Sequence, residues 1–164
     1  GDKDQVPRPP PGGGPVELGA RLAGASEQLV STLRAIGHDL GIAFQLRDDL
    51  LGVFGDPERT GKPSGDDLVS DKHTALRAIA LHRADAADPA LGARLRSYFG
   101  RRLDSDELGS ARDLFVELGA VAEVENSIDE LLGSALTALD VADIGDDIRA
   151  ELIAVAHRVA HRQA

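Results

Sequence analysis

From Val16 onward, apolar residues recur at three- and four-residue spacings, as in Leu18, Leu22, Leu29, Leu33 and Ile36. That period keeps one face of a helix apolar. The pattern predicts helices over 16–36 and 38–54, then at about 71–84, 89–99, 104–118, 120–140 and 145–162. Asp104 and Ser105, just ahead of Leu108, Leu114 and Phe115, suit a helix N-terminus. Between the second and third helices, Gly55 to Ser70 carries Pro57, Gly61, Pro63 and Gly65 and is expected to be a loop. No alternation of apolar and polar residues lasts long enough for a strand, so the expected class is all-α. Residues 1–15 hold five of the eight prolines and four glycines without apolar periodicity. They are expected to be a disordered linker or remnant, with one helical domain over 16–164.

The apolar pattern is broken most sharply inside helix 38–54. At 100° per residue, Gln45, Asp48, Asp49 and Gly52 share one face, with Leu46, Leu50 and Val53 to one side and Phe44, Leu51 and Phe54 to the other. A helix apolar around most of its circumference is expected to be largely buried. Carboxylates on it must then be paired or ligate a metal, since an isolated one would neutralise. An Asp-Asp pair alone also fits a solvated charge pair at a helix end. The following loop changes the balance. Lys62 sits among small residues in Gly61-Lys62-Pro63-Ser64-Gly65, with Asp66, Asp67 and Lys72 close behind. Small residues let a phosphate approach, an ammonium suits it as a point charge, and carboxylate oxygens suit Mg²⁺, which bridges phosphate oxygens. Taken singly, Lys62 also fits an exposed loop lysine, Lys72 an ordinary first-turn residue, and Asp66 a solvated neighbour. Gln45 is placed to meet a substrate or to bond the next helix.

Charge and composition narrow the classes. A net charge of −10 argues against nucleic acid, and allows at most peripheral membrane contact. Zero cysteines exclude a disulfide scaffold and thiolate metal sites, and fit a cytoplasmic protein. No apolar run approaches the roughly 20 residues of a spanning helix. Of the five histidines only His157 and His161 have metal-ligand spacing, and without a zincin glutamate they are expected at the surface.

The ordered pattern Gly-x-x-Phe-Gln-x-x-Asp-Asp (Gly41 to Asp49), Gly-Lys-Pro-x-Gly-x-Asp-Leu (Gly61 to Leu68) and Lys-x-Thr (Lys72 to Thr74) resembles the trans-isoprenyl diphosphate synthases. It is similar to that family's second aspartate-rich motif and its downstream loop, and Gly19 to Ala25 also looks family-like. The resemblance implies an isoprenoid-synthase-type helical bundle, of which this chain would be the C-terminal part. It implies a Mg²⁺-dependent prenyltransferase of geranylgeranyl or polyprenyl type, condensing isopentenyl diphosphate with an allylic diphosphate. Asp48 and Asp49 would ligate the metal with support from Asp67, and Lys62 and Lys72 would grip the allylic diphosphate beside Gln45.

Two departures from the family qualify these expectations. The usual motif is Asp-Asp-x-x-Asp, and its third position here is Gly52. Family members are about twice as long, and their first aspartate-rich motif has no counterpart upstream of Asp48. The chain alone is therefore expected to be inactive and to form a homodimer or associate with a missing N-terminal half. The alternative is a non-catalytic helical binding protein or partner subunit of a complete synthase.

Overall fold

The computed structural model describes residues 19, 20, 24–56, 58 and 65–161. The proline-rich lead 1–15 and the Lys62 loop lie outside them. Its spine is α1, Glu27–Phe54, a single 28-residue helix about 42 Å long at 1.5 Å per residue. Ser26 caps it, its hydroxyl accepting the Leu29 N–H at 3.2 Å. Two expectations change here. Gly24, at φ +75°, and extended Ser26 interrupt the helix predicted over 16–36. The predicted break at Gly37 is absent, because Leu33 and Ile36 before it and Leu40 after it pack on the same partners. Continuous packing outweighs the roughly 1 kcal/mol that an interior glycine costs a helix.

Beyond α1 the chain continues as α2, Asp66–Val69, α3, Ala75–Ala87, and α4, Pro89–Arg96. It ends with α5, Ser105–Glu117, α6, Ala120–Val141, and α7, Asp146–Ala160. The short α2 lies inside the stretch expected to be wholly loop. Asp104 forms a full capping box with Glu107 at the start of α5. Pro89 opens α4, where the missing N–H is no loss. Among the described residues there is no strand, and the fold is all-α.

Helix α6 runs along α1, and α7, α2 and α3 complete its surroundings. The main core forms where all these elements meet: Leu50 and Val53 of α1, Leu68 of α2, Leu76 of α3, Phe115 of α5 and Ile128 of α6. Fully buried alanines (Ala43, Ala80, Ala111, Ala156) leave room for close helix approach. A smaller cluster joins Leu33 and Ile36 to Ala135 and Leu139 at the other end of α1. Helix α1 is less buried than its composition suggested. Leu50 and Val53 are covered, whereas Phe44, across the helix from Val53, is 42% exposed and Ile42 is 40% exposed. Among the described residues no helix is long and apolar enough to cross a membrane.

Candidate functional site

The polar stripe of α1 meets α2 and the N-terminus of α3, and three carboxylates converge there. Asp49 is buried and fully engaged. Its Oδ2 accepts the backbone N–H of Ala75, the first residue of α3, at 3.2 Å. Its Oδ1 accepts from Gln45 Nε2 at 3.0 Å and from Lys72 Nζ at 3.5 Å. A carboxylate at a helix N-terminus also gains from the helix dipole. Asp67, brought in by α2, is buried too and accepts from Lys72 Nζ at 3.1 Å. Asp48 is half-buried and stands 3.6 Å from the same ammonium. One lysine thus faces three acids.

Several contacts hold Lys72 in this place. Asp71 adopts φ +53°, a conformation aspartate tolerates better than most residues. Arg77 fixes that turn, donating to the Asp71 carbonyl at 3.0 Å and pairing with its carboxylate at 2.7 Å. The Arg77 guanidinium in turn lies 4.1 Å over the Phe99 ring. Lys72 therefore precedes α3 instead of sitting in its first turn, and Thr74 is the cap, accepting from Arg77 N–H at 3.1 Å. Gly65, at φ +72°, starts α2 where a Cβ would meet Leu108 at 2.6 Å.

The orientation of α1 has its own anchor. Arg47 makes a two-pronged pair with Glu125 of α6 at 2.7 and 2.6 Å and donates to the Ala160 carbonyl of α7 at 2.7 Å. Arg112 donates to the Val53 carbonyl at 2.8 Å near the other end of the motif. Neither role was legible beforehand, because Glu125 and Ala160 lie 78 and 113 residues from Arg47. The one available signal was a lone arginine beside the aspartates of a mostly apolar helix.

The electrostatics follow from burial and crowding. Burial raises the Asp67 carboxyl above the usual carboxylate range, helped by the charges of Asp49 and Asp48 and only partly countered by Lys72. Burial also opposes the charge on Lys72, but the Asp67 hydrogen bond and the three carboxylates outweigh it and raise the lysine. Among the described residues, no three acidic or imidazole side chains are arranged to enclose a metal ion by themselves. Gln45 and Lys72 stand beside the acids, Lys62 lies outside the described residues, and His157 and His161 are exposed and stacked on each other at 5.9 Å.

The helical arrangement is shared with proteins of known family. Residues 13–111 match the family model described as polyprenyl synthetase. The chain belongs to the polyprenyl synthetase family. It is 33% identical over 147 residues to a geranylgeranyl diphosphate synthase of Mycobacterium tuberculosis, covering 89% of this chain and 40% of that protein. A heptaprenyl diphosphate synthase component 2 of Geobacillus stearothermophilus is 42% identical over 78 residues, 46% of this chain and 24% of that one. Among solved structures, a geranylgeranyl pyrophosphate synthase of Corynebacterium glutamicum, complexed with isoprenyl diphosphate and magnesium, superposes with a TM-score of 0.83. That match has 47% identity and covers 89% of this chain and 41% of the other. The chain spans about two fifths of the length of such relatives.

Proposed function

We propose that this chain supplies the Asp48–Asp49 side of a Mg²⁺-dependent prenyl-transfer site, in which isopentenyl diphosphate is condensed with an allylic diphosphate. The observation that carries the proposal is the convergence of Asp48, Asp49 and Asp67 on Lys72 Nζ within 3.1–3.6 Å. Three acids around one base leave negative charge in a partly buried place, and such charge calls for further cations. The donor set fits magnesium: carboxylate oxygens are the hard ligands it takes, and the Lys72 ammonium already stands among them as a cation. The magnesium and isoprenyl diphosphate in the Corynebacterium glutamicum relative support the same reading.

When bound, Mg²⁺ would supply Lewis-acid neutralisation of diphosphate charge. Asp48, which makes no bond shorter than 3.6 Å to Lys72, and Asp67 have the oxygens to offer it. Asp49 would orient more than donate, because Ala75 N–H, Gln45 and Lys72 already occupy its oxygens. Lys72 would turn to the diphosphate, joined by Lys62 of the neighbouring loop. Loss of the allylic leaving group and attack by the isopentenyl double bond need charge neutralised on both sides of the diphosphate. This chain carries one side, and the other would come from the portion of the relatives that it does not span or from an associated subunit. The relative named as component 2 of its synthase supports the latter arrangement.

Calorimetric titration of pyrophosphate with and without Mg²⁺ tests the site. We expect weak, Mg²⁺-dependent binding that Asp48→Ala abolishes. Equal binding without metal, or binding indifferent to Asp48→Ala, would overturn the proposal. With radiolabelled isopentenyl diphosphate and farnesyl diphosphate, the 164-residue chain alone should show no turnover. A polypeptide or complex that contains the other half should lose about 10²–10³-fold in rate on Asp48→Ala.

A further inference from the structure

We infer that Arg47 is a positioning residue and not a diphosphate ligand: held by Glu125 and the C-terminus of α7, it fixes the roll of α1 at the turn that carries Asp48. In sequence Arg47 stands beside the two aspartates, a place that would suit a cation for phosphate. Helical pitch turns it about 100° away from Asp48, and its guanidinium is occupied within this chain. Two nitrogens meet Glu125 at 2.7 and 2.6 Å, and the third meets the Ala160 carbonyl at 2.7 Å. Only 14% of the side chain is exposed. Ala160 is the last residue of α7, where the helix dipole favours a cation.

The middle of α1 has no large, fully buried apolar side chain to set its roll. Val30, Leu33 and Ile36 are buried in its first half, and Leu50 and Val53 near its end. Between Ile36 and Leu50 only Ala43 and Asp49 are buried, while Leu40 and Leu46 are partly so. A lone methyl is a shallow ridge and resists rotation weakly. Nor does the far side of the helix supply a hold: Phe44 is exposed, and a Cβ on Gly41 would touch nothing within 4 Å. Asp48 depends on the roll more than its neighbour does. Asp49 is tied to Ala75 N–H, Gln45 and Lys72, whereas Asp48 meets only Lys72, at 3.6 Å, among the described residues. The backbone therefore places Asp48, and Arg47 places that backbone.

The ligand half of this inference rests on the diphosphate-site reading above, while its geometric half needs no metal, and two measurements separate them. The Ala75 N–H, whose acceptor is Asp49 Oδ2 at 3.2 Å, reports the roll of α1 through amide hydrogen exchange. Arg47→Met and Glu125→Ala should each speed that exchange several-fold. In calorimetry, each should weaken Mg²⁺-dependent pyrophosphate binding about tenfold, the scale on which groups that orient metal ligands act. The double variant should lose no more than Arg47→Met alone, because both changes break one network. Arg47→Lys, which keeps the charge without the fork, should fall between Arg47→Met and wild type. Arg149 serves as the control at the other end of α1, donating to the carbonyls of Leu139, Asp140, Ala142 and Ile144. Arg149→Met should lower Tm yet leave pyrophosphate binding and Ala75 exchange as in wild type. Unchanged Ala75 exchange in Arg47→Met, or an equal loss of binding in Arg149→Met, would overturn the inference. So would binding kept or strengthened in Glu125→Ala, which frees the guanidinium and would reveal it as a ligand. Wild-type protein without Mg²⁺-dependent binding would overturn the diphosphate reading, and Ala75 exchange would still decide whether Arg47 sets the roll.

Discussion

Asp67 and Asp85 occupy similar niches and behave oppositely. Each carboxylate fills space left by a glycine on the neighbouring helix: a Cβ on Gly52 would strike Asp67, and one on Gly92 would strike Asp85. Each also has a cationic neighbour. Asp85 is exposed and meets Arg96 through two hydrogen bonds of 2.7 and 2.5 Å, and that contact holds its carboxyl below the usual range. Asp67 shares Lys72 with Asp48 and Asp49, and burial pushes its carboxyl up. A glycine beside a carboxylate is therefore a packing device in both places. Charge balance separates them: one acid per base between α3 and α4, three acids per base between α1 and α2. A protein stable without partners has little use for the second arrangement, and a cation-binding site has a direct use for it.

Removing the shared base should have the largest effect on this contrast. Lys72→Met leaves three carboxylates facing one another, and we expect a loss of about 1–2 kcal/mol at neutral pH, discounted for the 38% exposure of the lysine side chain. The Lys72 pKa is raised, so on the alkaline side its contribution holds up to the ordinary lysine value of 10.5 and fades as pH rises through the higher folded value. Urea unfolding at pH 7 and pH 4 checks it. The deficit should shrink at the lower pH as Asp67, whose pKa is raised, takes up its proton.

A smaller effect of opposite sign is expected from Asp67→Asn. The folded state holds the Asp67 proton more tightly than the unfolded state does, so ionised Asp67 costs stability once pH rises through its raised pKa. The variant should melt above wild type near pH 7 and lose that advantage below about pH 3.8, the unfolded value. Differential scanning calorimetry across that range reads it, and a lower Tm at pH 7 would mean that Lys72 outweighs burial.

Asp85→Asn should do least. The lowered pKa of Asp85 contributes stability above 3.8 that disappears as pH falls through the folded value, the reverse of Asp67. Because the pair is exposed, the change in Tm at neutral pH should be close to measurement error and vanish in molar salt. A large, salt-resistant loss would erase the distinction between the two niches.

Much of this architecture was legible in the pattern of residues. The helices from α3 to α7 follow apolar periodicity with local caps such as Thr74 and Asp104, and local signals suffice for local structure. The face shared by Gln45, Asp48 and Asp49 is a consequence of helical pitch, and the bond from Gln45 to Asp49 is its i, i+4 expression. The continuity of α1 through Gly37 was not legible, because it depends on what Leu33, Ile36 and Leu40 pack against. Nor was α2 visible, a four-residue helix held by tertiary contacts of Leu68 instead of by propensity.

The sequence by itself determined that the chain is helical, that two aspartates share a helix face, and that a lysine-bearing loop follows them. Periodicity and spacing carry that information within a few turns of chain. Only the tertiary structure decided that Lys72, outside any helix, sits among three acids, that Arg47 reaches Glu125 and Ala160, and that the empty side of Gly52 is filled by Asp67. Those contacts join residues 5 to 113 positions apart, and the packing of α1 against α2, α3, α6 and α7 brings them together.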